Sequence, residues 1–495
     1  MQGFFAVKKS EVIYAVQYLK RLFTVDMTTG KPWHKLLLFT LPLLVGNAFQ
    51  QLFSTVDAIM LGRFVGDHAL AAVGSTMSIF FLVMVLMMGI SMGAGVMVSQ
   101  YFGARQREQL SHTIGTSITL TAILGVVIMV TGPLFVRRLL VFLSTPADIL
   151  EYAVTYITVL LVGVLGMSYF NMLSGILRGV GDAFSPLLYL IFASLLNIAL
   201  NFLFIGVLGW GMFGAAIGTV ITQFTSALLC LRRLMKMTDM FAMGRKYLRL
   251  KKEYVSQVMK LGLPTGASQA VFSLAMMAVQ PLANNFGYLF LATNVIVMKV
   301  DGFVMMPNFS FGNAMTVYAG QNMGAGKIDR ISRGTKQCVL IALCMAALMV
   351  TVILIFGRQI AGMFTQTEDV LAMSIRFLRI LAPAYLAISI SMVLWGTIRG
   401  SGDAITPMWA TLINTVIIRV PAAYILVHIM DDPVAIVYSM LISWVTISML
   451  AMISFRIGRW RKTGLVKRTA KDTIAPDRGT NEGVNVANET MPSDT

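Results

Sequence analysis

A chain of 495 residues that is 57% hydrophobic and only 12% charged is not an ordinary soluble globular protein, whose charged fraction runs near a quarter. Apolar runs of 18 or more residues recur along almost its whole length, as in an all-α polytopic membrane protein. The formal net charge of +17 raises nucleic acid as a partner, but the charge is distributed along the chain as a topology signal.

Residues 8–23, "KKSEVIYAVQYLKRLF", place Val12, Val16, Leu19 and Phe23 on one helical face, which predicts a short interfacial helix with its basic residues at the headgroups. About 35 residues of mixed sequence precede the first apolar run, and no small-residue cleavage site follows it. That run therefore reads as a membrane helix and not as a removed signal peptide. Twelve spans are predicted, at 36–61, 69–101, 113–136, 149–177, 186–206, 211–231, 261–285, 289–319, 337–357, 371–397, 405–428 and 434–455. The two tails and every second loop hold 31 of the 39 Lys and Arg residues. The opposite loops hold 4, and another 4 (Lys299, Arg376, Arg379 and Arg419) lie within spans. By the positive-inside rule both termini are cytoplasmic, and the basic charge needs no nucleic acid to explain it.

The longest polar interruption, around "RKYLRLKKEY", divides the chain near its middle. The expected organisation is an N-terminal segment 1–35, a six-helix lobe 36–235, a cytoplasmic linker 236–256, a second six-helix lobe 257–456 and a disordered tail 457–495, which is too polar to fold. The halves repeat each other. "GILRGVGDAFSP" (Gly175 to Pro186) and "GTIRGSGDAITP" (Gly396 to Pro407) are identical at seven of twelve positions, 221 residues apart. "QYFGA" from Gln100 and "QNMGA" from Gln321 agree at three of five at the same offset, and "LP" at Pro42 recurs at Pro264. A shared offset in separate windows indicates duplication. Six spans per half give both halves the same orientation, related by a pseudo-two-fold axis along the membrane normal, which is a transporter layout more than a channel layout. In the repeated motif, Arg178 and Arg399 suit helix C-termini, Asp182 and Asp403 can cap the next helix, and Pro186 and Pro407 fit its first turn. The motif reads as a rigid turn without substrate contact.

The first span carries Asn47, Gln50, Ser54 and Asp57 at spacings of three, four and three, along one helical face. Pro42 near its start can kink it. Asn197 and Asn201 share a face of the fifth span, and Thr219, Thr222, Gln223 and Ser226 form a stripe on the sixth. Such side chains can glue helices together or line a cavity. Asp57 is different, because an ionised carboxylate at a helix centre costs about 2.5–3.5 kcal/mol on insertion scales. A neutral Asn would glue as well, whereas an Asp can take up and release a proton. In the second half, Lys299 and Asp301 lie two apart and do not face each other on a regular helix; they and Arg419 fit either structural ion pairing or substrate and proton binding. Cys230, Cys338 and Cys344 offer no disulfide framework, and the four histidines form no ligand pair, so no metal site and no cofactor are expected. The 36 methionines suit a cavity that repacks around varied apolar guests.

Residues 26–456 resemble the multidrug and toxic compound extrusion (MATE) family, on "DMTTGKPWHKLLLFTLPLLVGNAFQQLFSTVDAIMLGRFVGDHALAAVG", "RGVGD", "RGSGD" and "GQNMGAGK". The second loop, "QYFGARQREQL", lacks the Gly-x-x-x-Asp-Arg pattern of the major facilitator group. The resemblance implies that Asp57 is the ion-coupling acid of the first helix, that Pro42 bends that helix, and that Gln50, Asn197 and Thr219 match residues around the acid. It also implies a basic-x-acidic pair at Lys299 and Asp301. The chain departs from some members at Asn201, where a second acid occurs, and at Phe53, where a Tyr is common. The acids that a Na⁺-coupled subgroup carries in its seventh and tenth helices are replaced by Phe272 and Ile388, which puts that mode of Na⁺ coupling in doubt. The expectation is a monomeric secondary antiporter in the cell membrane, not an enzyme. It would export amphipathic, cationic organic small molecules against H⁺ or Na⁺. The alternatives are a flippase for lipid-linked precursors and an exporter of one metabolite.

Overall fold

The computed structural model describes residues 25–65, 67–142, 145–242 and 244–466; some side chains near the start, among them those of Ser54 and Asp57, lie outside the described residues. The expected interfacial helix at 8–23 also lies outside them. Among the described residues twelve long helices follow in chain order, and each contains one predicted span. They are α1 (Pro32–Phe64), α2 (Asp67–Gly103), α3 (Arg107–Phe142), α4 (Ala147–Val162 continued by Val164–Gly179), α5 (Phe184–Asn201 with the π turn Phe202–Val207) and α6 (Gly211–Met235). After the four-residue helix Arg245–Leu248 come α7 (Lys252–Asn285), α8 (Gly287–Gly324), α9 (Ile328–Gly362), α10 (Glu368–Gly400), α11 (Ile405–Leu412, the π turn Ile413–Arg419 and Val420–Met430) and α12 (Val434–Ile457).

Local sequence explains the boundaries. Pro32 opens α1 at the position where a missing N–H costs nothing. Gly163 bends α4 by 49°. After α4, Asp182 accepts from Ser185 N (2.9 Å) and Ser185 Oγ (2.8 Å), and Arg233 Nε donates to it at 2.8 Å. After α10, Asp403 repeats the arrangement with Thr406 N (2.9 Å) and Thr406 Oγ1 (2.6 Å). Both carboxylates cap the next helix, as the repeated motif predicts. Gly181 (φ +95°) and Gly402 (φ +104°) occupy the left-handed region in the two turns.

The halves pack with the symmetry of the repeat: α1 lies on α5 and α8, and correspondingly α7 lies on α11 and α2. The two seams differ in closeness. On α2 and α7, Gly89 and Gly93 face Gly262 and Gly266; a Cβ at Gly93 would come within 2.6 Å of Val258 O, and one at Gly89 within 2.6 Å of Gly262 O. Only glycine allows backbones this near. The α1–α8 seam places Asn47 Nδ2 2.9 Å from Ser310 Oγ instead. At the end that carries residues 25–31, 459–465 and most of the described basic residues, here called the basic end, α2 and α8 interlock. A Cβ on Gly103 would clash with Gln321 O, and one on Gly324 with Gln100 O. The Arg459–Lys462 turn packs Trp460 to 1% exposure and the chain stays within the compact unit to Leu465, so the tail departs later than position 457. The sequence reading missed this because one buried Trp among basic residues leaves the local composition polar.

Candidate transport site

A cavity of about 250 Å³ opens among α1, α2, α4, α5 and α6 of the first half. Its wall is built from Met84, Met88, Met167, Phe80, Phe81 and Phe170, with amide and hydroxyl groups from Gln50, Asn171, Ser194, Thr222 and Gln223. The combination suits a guest with an apolar body and a few polar atoms. Gln223 Oε1 is buried and has no partner among the described residues, so it can accept from a guest. Asn171 and Met88 also line a second cavity of about 90 Å³ between the halves, together with Ser91, Arg178, Asn313 and Thr316. Arg178 therefore lines a cavity between the halves, contrary to the reading of its motif as a turn alone.

The structure brings together part of the predicted first-half set. Gln50 lines the cavity. Pro42 is buried in a helix that continues through it. Asn197 and Asn201, each 1% exposed, are joined by a 2.9 Å bond from Asn201 Nδ2 to Asn197 Oδ1, and Asn197 Nδ2 has no partner among the described residues. Asn201 packs against Gly218 of α6, whose Cβ would lie 2.8 Å from Asn201 Oδ1. Thr219 donates back to Ala215 O at 3.1 Å, Thr222 to Gly218 O at 2.7 Å and Ser226 to Thr222 O at 2.9 Å. The stripe on α6 is thus largely satisfied by its own helix. Asp57 and Ser54 lie on helical backbone in α1, and their side chains are outside the described residues.

The second half holds a different constellation. Asp301 of α8 accepts a hydrogen bond from Tyr385 Oη of α10, which is fully buried. Arg419, at the end of the α11 π turn, is 3% exposed and within electrostatic reach of Asp301. Its guanidinium lies 5.6 Å from the centre of the Phe272 ring, its Nη2 is 2.9 Å from Met276 Sδ, and its Nε has no partner among the described residues. A buried guanidinium short of partners is costly to maintain, and π turns recur at functional sites. Lys299 is exposed and forms no ion pair with Asp301, as two-residue spacing on a helix dictates. Tyr385 was missed from sequence, since a lone Tyr in an apolar helix announces no partner 84 positions away. Replacing Tyr385 by Phe should leave the half-buried Asp301 without its donor and lower the thermal stability of the purified protein by several degrees, roughly the effect of 1–3 kcal/mol. An unchanged melting temperature would show that the pair contributes nothing to the fold.

Comparison with known proteins agrees with this geometry. The MatE family model matches the chain twice, over residues 42–203 and again over 264–425. The chain is 30% identical over 416 residues to "Probable multidrug resistance protein YoeA" of Bacillus subtilis, covering 82% of this chain and 89% of that protein. It is 25% identical over 445 residues to "Probable multidrug resistance protein NorM" of Thermotoga maritima, covering 88% and 94%. A solved MATE transporter in an outward-facing conformation superposes with a TM-score of 0.83 at 25% identity, covering 89% of this chain and 99% of that one. A MATE structure in a straight conformation gives 0.83 at 26% identity, with the same coverage. The fold and its internal duplication define a multi-pass membrane transporter. The chain belongs to the MatE family.

Proposed function

We propose that this protein is a secondary antiporter that exports amphipathic, cationic organic compounds of more than one kind, driven by inward H⁺ flow. The observation that carries the reading is the first-half cavity, with methionine and phenylalanine walls and amide groups, beside the helix that bears Asp57. Flexible thioethers repack around varied guests, and rings attract cations. The relatives named multidrug resistance proteins support guests of more than one kind. Phe272 is apolar and covers Arg419, and Ile388 is 6% exposed in the core; the family resemblance implies acids at these two positions in a Na⁺-coupled subgroup, and their replacement here supports H⁺ as the coupling ion. In this reading Asp57 couples, Gln50, Ser54, Asn197, Asn201 and Thr219 serve the cavity, and α1 bends at Pro42. Lys299, Asp301 and Arg419 are the second-half candidates. The protein works as a monomer in the cell membrane, and lobes 36–235 and 257–456 rock about the cleft with both termini cytoplasmic.

Purified protein in liposomes should export cationic dyes under an imposed H⁺ gradient and not under a Na⁺ gradient. Dye movement driven by Na⁺ alone would overturn the ion assignment. One observation favours a second reading. Arg178 and Arg399 line cavities between the halves and form no ion pair among the described residues. That arrangement suits an anionic guest, as a flippase for lipid-linked precursors or an exporter of one acidic metabolite would require. An anionic dye belongs in the same panel, and its export in place of the cations would select this reading.

The orientation has its own test. Cysteines placed in loops 206–211 and 428–433, with Cys344 replaced, should react with an impermeant thiol reagent outside intact cells, and those in 236–256 should not. The opposite pattern would overturn the topology.

A further inference from the structure

The motifs "QYFGA" and "QNMGA" place one glutamine each at the basic end of α2 and α8, and both side chains are completely buried. Gln321 Nε2 donates across to Gly179 O, in the "RGVGD" turn of the first half, at 2.9 Å. Gln100 Nε2 donates across to Gly400 O, in the "RGSGD" turn of the second half, at 3.0 Å. The four residues are related by the 221-residue offset. Each glutamine also holds one end of the chain with its carbonyl. Gln321 Oε1 accepts from Met27 N at 3.0 Å, and Gln100 Oε1 accepts from Leu465 N at 2.8 Å. The terminal segments lie on the same two turns. Val25 N donates to Gly181 O at 2.9 Å, and Thr463 Oγ1 to Ser401 O at 3.1 Å. The left-handed glycines make room: a Cβ on Gly181 would clash with Val25 O, and one on Gly402 would lie 2.5 Å from Thr463 O.

Met27 leads into α1 and belongs to the first half, yet its N–H is held by the second. Leu465 follows α12 and belongs to the second half, yet its N–H is held by the first. All four bonds of the two amides therefore cross between the halves. We propose that Gln100 and Gln321 are positioning residues of the transport cycle: each clasps a terminal segment and the opposite half's turn, and together they hold the basic end shut. The inference rests on the alternating-access reading with that end cytoplasmic. It does not depend on which compound or ion is carried.

The physical case rests on paired polar groups in a buried site. Each buried amide has its carbonyl and one N–H paired, and separating the halves strands both groups and two backbone partners at once. Buried polar groups that lose partners cost more than the bonds contribute when made. The clasp thus favours two outcomes, fully shut or fully open with the groups hydrated, over a partly parted end. It also makes residues 25–27 and 463–465 working parts of the gate, although neither segment is in a membrane helix.

The test uses the full-length protein in inverted vesicles, with Cys344→Ser and a reporter cysteine at Thr316, which lies between the halves beneath the gate. An impermeant thiol reagent reaches the reporter only when the basic end opens. Gln321→Leu and Gln100→Leu should each raise the labelling rate at least about fivefold, the value of one hydrogen bond. Met27→Pro and Leu465→Pro remove a single donor each and should give a smaller rise of the same sign. Gln321→Glu and Gln100→Glu keep the acceptor for the terminal segment and should fall between wild type and the leucine variants. The buried Cys230 and Cys338 should remain unreactive throughout. Unchanged labelling in the leucine and proline variants would overturn the proposal, as would a rise that also exposes Cys230 and Cys338, which marks general loosening. A positive result in protein that exports no cationic dye would leave the clasp standing and reject the substrate reading instead.

Discussion

Asp57→Asn should yield a folded, membrane-inserted protein whose H⁺-driven dye efflux falls to the level of empty liposomes. The argument is electrostatic. Keeping an Asp in a membrane helix costs about 2.5–3.5 kcal/mol while it is ionised, and Asn offers the same volume and hydrogen bonding without that cost. The variant should therefore be at least as stable as wild type. It loses only the ability to change charge. Coupling requires that proton and guest compete for the protein, directly or through a conformation that one favours over the other. A side chain with a single protonation state provides no such competition. Asp57→Glu should keep part of the activity. The measurement is dye efflux in proteoliposomes at matched protein incorporation. Wild-type rates in Asp57→Asn would remove this residue from the mechanism and move attention to Asp301.

Gly324→Ala should be nearly as damaging, by a steric route. The added methyl would fall inside the contact shell of Gln100 O and close to Ala104 N, so α2 and α8 could no longer meet at the basic end. Overpacking of this kind costs about 1–3 kcal/mol, and here the penalty applies only to the closed arrangement. The equilibrium between closed and open basic ends would shift roughly 5- to 150-fold toward open. Helix propensity favours Ala over Gly by about 1 kcal/mol, so folding itself should not suffer. Gly103→Ala should behave alike, since its methyl would meet Gln321 O. Dye efflux should fall steeply while the melting temperature holds, and a cysteine at position 316 should label faster from the cytoplasmic face. Full efflux from both variants would show that the basic end has slack the contacts do not reveal.

Much of the architecture was legible because its signals are local. Hydropathy and loop charge located twelve helices, and a repeated offset showed that six are a second copy of the other six. Asp182 and Asp403 could be read as caps because the residues they hold, Ser185 and Thr406, lie three positions away. What stayed hidden lies far apart in sequence. Asp301 stood out as a charge in an apolar run, but nothing marked Tyr385 as its partner. Gln100 and Gln321 were noticed as repeats, yet an offset says which residues are equivalent and not what each one touches. The polar stripe on α6 mixes two uses, since Thr222 and Gln223 also line the first-half cavity. Thr219 and Thr222 share a face as the spacing requires, but hydroxyls one turn apart reach their own backbone first.

The glycine seam between α2 and α7 also bears on how the molecule can move. Two backbones in contact through four small positions can pivot on each other with little change in what they touch, as an axle turns in its bearing. The matching seam between α1 and α8 is held by side chains, including the Asn47–Ser310 pair, and side chains can part and meet again. Duplication thus produced two equivalent seams, and divergence lined one with glycines and the other with side chains, which suits them as hinge and jaw in the proposed alternating-access cycle. The helix that bears Asp57 lies on the jaw side, so in the proposed mechanism protonation there would act with the longest lever arm.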